Sequence, residues 1–194
     1  MKKVILLLAL AALCGCSSEP TKPATSQPAQ PKAPETITGS GAFFKCYTAA
    51  RGWAGDVQGF RAESLPTKTR DGKATEWRIS FASPLQRLAR SYTWSSGDIS
   101  HSSDDSYSPG NSSTMVFNFQ ALKTDTDKAF AVAQQHGGDK VIEKDPDTPV
   151  FYVLEWNHLK GQLIWHVIYG TDPDSAKLRV AVNATTGSFL QVEK

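Results

Sequence analysis

Trp77-Arg78-Ile79-Ser80-Phe81 and Trp165-His166-Val167-Ile168-Tyr169 are written to one pattern, an aromatic, an aliphatic and an aromatic residue at alternating positions. Alternation of this kind describes a strand that turns one set of side chains to a core. Around each stretch the same elements recur in the same order. Ahead of Trp77, Phe43, Tyr47, Ala50 and Ala54 fall on one face of a helix that Gly55-Asp56 stops, and Val57 to Ser64 reads as a strand. Arg70-Asp71-Gly72-Lys73 is a hairpin turn signal, Pro84 breaks the next strand, and Arg87 to Trp94 resumes it. Ahead of Trp165, Thr124 and Asp127 open a helix through Ala129, Ala133 and His136 that ends at Gly137-Gly138-Asp139. Strands are expected at 140–144, 149–157, 162–170, 177–183 and 188–192, with Pro173 answering Pro84 and Arg179 answering Arg90.

The fold class is therefore α+β: a unit of helix plus antiparallel sheet over 41–97 and a second over 113–194. Neither is large enough to stand alone, so the two must pack together or share one sheet. Between them, 98–112 reads as a Ser-rich linker loop, after which Met115, Phe117 and Phe119 alternate like a strand.

The second unit resembles the PepSY domain family. The resemblance rests on a helix with spaced alanines ending in Gly-Gly, on the run Ile164 to Tyr169, and above all on Val180-Ala181-Val182-Asn183-Ala184-Thr185-Thr186-Gly187-Ser188-Phe189-Leu190. Family members usually carry Asp where this chain has Asn183, and either residue can hydrogen-bond its own turn. Similarity to PepSY domains implies an extracytoplasmic α+β module, in several settings proposed to bind or restrain peptidases. It brings no shared catalytic residues.

The N-terminus supplies an address. Lys2 and Lys3 precede an apolar run, Val4 to Leu13, too short to span a bilayer at about 20 residues. Leu13-Cys14-Gly15-Cys16 resembles the bacterial lipobox, which implies a signal peptide over 1–15 and Cys16 as the lipidated thiol. An ordinary cleaved signal is the competing reading. Ser17, by resemblance to enterobacterial lipoproteins, favours the outer membrane facing the periplasm. From 16 to 40 the chain is rich in Pro, Ser, Thr and Ala, with prolines at 20, 23, 28, 31 and 34, and reads as a disordered tether.

A net charge of +2, with scattered basic residues, leaves no electrostatic footprint for nucleic acid. Of three cysteines only Cys46 belongs to the folded part, where it reads as a core residue, and one thiol cannot build a thiolate metal site. His101, beside Ser102 to Asp105, sits in a loop unsuited to fixed geometry, and His166 points away from Trp165 as a half-buried strand residue. Asp145-x-Asp147 and Asp172-x-Asp174 enclose proline as turns, and Asp125-x-Asp127 opens a helix. No catalytic, cofactor or metal site is expected.

The strands at 150–157 and 163–169 are apolar on both faces, so the second face must meet the sister unit, a partner or a groove. Tyr152, Leu154, Trp156, Trp165, Val167 and Tyr169 are the candidate partner surface. The expected function is a non-enzymatic, lipid-anchored envelope protein that binds an envelope protein, with the membrane contacted through the lipid. One alternative is a small-ligand module with a groove lined by Trp53, Trp77 or Trp165. Another is a hydrolase using His101, His136, His158 or His166.

Overall fold

Two β-meanders joined along their first strands make one sheet of nine strands. This is seen in a computed structural model that describes residues 34–193. In chain order the elements are β1 (Ile37–Thr38), α1 (Gly39–Trp53), β2 (Gln58–Ser64), β3 (Lys73–Ala74), β4 (Glu76–Ser83), β5 (Leu88–Ser95), β6 (Asp98–His101) and β7 (Asp105–Ser106). The second half continues with α2 (Thr126–Ala133), α3 (Asp139–Lys144), β8 (Val150–Asn157), β9 (Gln162–Tyr169), β10 (Leu178–Asn183) and β11 (Phe189–Glu193). Strand order across the sheet is β11-β10-β9-β8-β2-β4-β5-β6, with β7 also on β5. Each half is thus a helical segment and a run of four strands, β2-β4-β5-β6 or β8-β9-β10-β11, with β7 a further short strand on the first, arranged as mirror-ordered wings about a seam. The α+β class expected from the sequence is the observed one.

The seam is the antiparallel pair β2 and β8, in register at Arg61 with Glu155, Ala62 with Leu154 and Glu63 with Val153. It continues where Thr67 and Val150 exchange backbone hydrogen bonds of 2.9 and 2.8 Å. Trp77 and Trp165, the two aromatic leaders of the repeated pattern, meet across it edge to face at 6.2 Å. Both are fully buried, and their indole N–H groups donate to the backbone oxygens of Ile37 and Thr124. A single core lies between the helices and one face of the whole sheet. Gly59 belongs to that face because the ring of Phe43 occupies the space a side chain would need, 2.6 Å from a would-be Cβ.

Three differences from the sequence reading have local causes. Residues 37–40, read as tether, already belong to the fold. Ile37 pairs with Ala74, and the amides of Gly39 and Ser40 donate to Thr126 and Asp125 side chains on α2. Residues 140–144 form α3 and not a strand. Gly137, at φ +108°, kinks the helix and lets it restart, and Gly138 passes so close to Tyr169 that a Cβ would lie 2.5 Å from its Cζ. The 98–112 segment carries β6 and β7, both paired with β5, because β5 offers an edge that the turn at Ser96-Gly97 folds back upon. Conversely, Met115 to Phe119 is not a strand: Phe117 alone bridges to Gly59, and short 3-10 turns flank it. The signal peptide, Cys16 and the tether up to residue 33 lie outside the described residues.

Candidate functional site

The proposed partner surface is corrected by its burial. Tyr152, Leu154, Trp165, Val167 and Tyr169 are completely buried, and Trp156 is packed against the same core. Their face of the sheet is the one the helices cover, so the five are structural; Trp156, half-buried near the end of β8, also lines a cleft. An aromatic groove is not found where Trp53, Trp77 and Trp165 would line it. Trp77 and Trp165 fill that space with each other, and the Arg90 guanidinium lies over the Trp53 ring at 4.8 Å.

The four histidines lie apart. His101 is on the exposed strand β6 with Nδ1 2.9 Å from the Ser102 carbonyl, and His158 is in the exposed turn after β8. His136 stands in the helix kink, stacked on Phe189 at 3.6 Å. His166 is on the face opposite Trp165, as strand alternation requires, and it is buried between two carboxylates. Among the described residues no group of three or more His, Cys, Asp or Glu is placed to hold a metal ion. Cys46 is fully buried in the core, and desolvation pushes its thiol up to about 12.

The aspartates do local work. Asp125 rather than Thr124 caps α2, accepting from the amides of Thr126 and Ser40. Asp145 and Asp172 each accept amides from their own turns, at Asp147 and at Asp174 and Ser175. Asn183 accepts from the amides of Thr185 and Thr186, and Gly187 closes that turn at φ +77°. The side-chain oxygen is what the turn uses, and Asn supplies it as well as Asp would.

Two clefts flank the start of β2. One, of about 410 Å³, is lined by Phe60, Arg61, Met115, Glu155, Trp156 and Leu159 among others. The other, of about 210 Å³, lies between Tyr47 of α1 and the segment Phe117-Asn118-Phe119. Exposed apolar side chains border them: Leu159 at 85% and Met115 at 36% at the first, and Phe119 at 37% at the second, with Phe44, at 43%, beside Phe119. Phe119 packs on Tyr47 at 5.4 Å and on Phe44 at 6.2 Å.

Both clefts sit at one end of the sheet, because β2 begins there, β8 ends there and the β8–β9 turn is there. The chain enters at the other end, where Trp77 donates to Ile37 and Glu35 approaches Gly97 in the β5–β6 turn. Sequence reading missed these clefts. Met115 and Phe119 were visible as apolar residues, but only the bridge of Phe117 to Gly59 shows that they stay outside the core.

No protein-family model matches the chain, and it matches no curated protein. Among solved structures, a protein of Clostridium difficile 630 described as a lipoprotein matches with a TM-score of 0.52 at 10% sequence identity. The match covers 78% of this chain and 91% of that one. At such identity the likeness is one of fold.

Proposed function

We propose that this chain is a non-enzymatic, lipid-anchored protein of the cell envelope that binds another protein, a peptidase being the class its PepSY-like pattern suggests. The observation that carries the reading is the polarity of the domain. Exposed Leu159, Met115 and Phe119 border two clefts at the end of the sheet opposite the chain's entry. Contiguous exposed apolar side chains rimmed by polar ones are characteristic of contact surfaces. An anchor at Cys16 would join the folded part through the Pro-rich segment, on the side where the chain enters. The fold neighbour described as a lipoprotein supports the same setting. Two acyl chains suffice for stable anchoring, at about 0.8 kcal/mol per buried CH₂.

Two experiments test the reading separately. Cys16→Ser should abolish incorporation of labelled palmitate and release the protein from membranes; retained labelling would refute the anchor. A photo-crosslinking residue placed at Leu159 or Phe119 in the full chain should give one discrete adduct, and the same residue at Lys73, at the entry end, should give none. The captured protein, once purified, should bind the wild type and lose binding to a Leu159→Arg, Phe119→Arg double variant. Equal crosslinking from all three positions would refute the contact surface.

A further inference from the structure

On the face of the sheet away from the helices, seven charged side chains follow one another across six strands with alternating sign. Arg78 on β4 lies 3.6 Å from Glu63 on β2, and Glu63 accepts from Arg61 Nε at 3.0 Å. Arg61 Nη1 crosses the seam to Glu155 on β8 at 2.8 Å. The other Glu155 oxygen lies 3.5 Å from His166 Nε2 on β9. His166 Nδ1 is 2.7 Å from Glu193 Oε2 on β11, and Arg179 Nη2 on β10 is 3.4 Å from the same oxygen. His166 is the least exposed member, with 8% of its side chain accessible, and its direct cross-strand neighbours Val153 and Ala181 are apolar.

A neutral imidazole has one N–H, so it can donate to only one of two carboxylates; an imidazolium donates to both. Charge-assisted hydrogen bonds are also about twice as strong as neutral ones. The two ends of this bridge are held unequally. β8 is paired on both sides, by β2 and β9, and anchored by core side chains. β11 is an edge strand paired only with β10, its register broken between Ala181 and Val182, and its Phe189 and Val192 exposed. Elements with few buried contacts open locally at small free-energy cost. A change at His166 is therefore felt first at β11.

We infer that His166 is a proton-operated latch: protonated, it bridges Glu155 and Glu193 and fastens the C-terminal strand to the sheet, and its deprotonation loosens that strand. Burial opposes the charge on His166, but Glu155 and Glu193 outweigh it and hold its pKa above the usual value. The pKa of Glu193 is lowered in turn: burial opposes this, and His166 and Arg179 prevail. A group whose pKa is raised on folding stabilises fully below its unfolded value, near 6.5, and that contribution is lost as pH rises through the folded value. The latch thus holds in mild acid and releases as pH rises through the raised folded-state pKa.

The test is hydrogen exchange of the segment 186–193 in the full-length protein between pH 5.5 and 8.5, corrected for intrinsic rates, beside an NMR titration of the His166 ring. The opening equilibrium of β11 should rise several-fold across the His166 titration, while residues 76–83 of β4 show no change over the same range. His166→Gln should remove the pH dependence, and Glu193→Gln should lower the His166 pKa. Equal protection of 186–193 on both sides of the titration overturns the latch. So does an unchanged pH dependence in His166→Gln; should that variant not fold, the wild-type profile decides alone.

Discussion

The two wings of the sheet carry the same elements but finish their outer faces differently. On the first wing that face presents Arg61, Glu63, Arg78, Ser80 and Ser91, and farther along Tyr107 and Val116 cover Phe60, Ala82 and Ala89. On the second wing it presents Glu155, His166, Arg179 and Glu193 among Phe151, Val153, Ile164, Ile168 and Ala181, these five apolar residues all buried, with Ala176 packed on part of them. The helical segments differ as well: α1 runs unbroken for 15 residues, whereas α2 and α3 are separated by a kink at Gly137. In both wings the helices cover the same face of the sheet. The opposite face diverges: the charged row crosses both wings, but hydroxyls flank it on the first and a larger set of buried apolar side chains flanks it on the second.

If the wings are one cooperative unit, Trp165→Ala should cost about 3–5 kcal/mol, as removal of a buried Trp usually does, and should shift a single urea transition. Trp77→Ala should do the same from the other wing, since the two rings touch. Two separate transitions in either variant would show the wings folding independently. The kink separates the wings at the next scale. Gly138→Ala drives a methyl into Tyr169 and should cost about 1–3 kcal/mol.

Cys46→Ser, in the first wing, should also cost about 1–3 kcal/mol by burying a hydroxyl in an apolar core. In the wild type the Cys46 thiol should react with a disulfide reagent only at the rate of unfolding; faster labelling would mean that the core under α1 opens locally. Gly52→Ala, by contrast, meets nothing within 4 Å on α1 and should stabilise by about 0.5 kcal/mol in thermal unfolding. The smallest effect belongs to the seam's surface. A double-mutant cycle on Arg61 and Glu155, both partly exposed, should give a coupling below about 1 kcal/mol. A larger coupling would mean that the charged row, and not the aromatic core, joins the wings.

Much of the fold was legible because it is local. Alternation marked β4, β5 and β8 to β11 to within a residue or two, and the turn at Asn183 to Gly187 was readable from its own side chains. The stretch 140–144 misled because Val141 and Ile142 are β-branched while the helix restart depends on Gly137 and on contact with Tyr169. The candidate site was hardly legible at all. Tyr152 and Trp165 looked like surface because a strand apolar on both sides does not say which face the helices will take. Glu155, His166 and Glu193 stand far apart in the chain and meet only through strand register.

By itself the sequence determined two successive sets of helix and strands, their turns and a lipobox-like start, since periodicity and turn chemistry act over a few residues. Only the tertiary structure decided that β2 and β8 form the seam, that both helical segments cover one face, and that seven charges line up on the other. Those depend on pairing between segments some ninety residues apart, as at Arg61 and Glu155, and no local pattern carries that register.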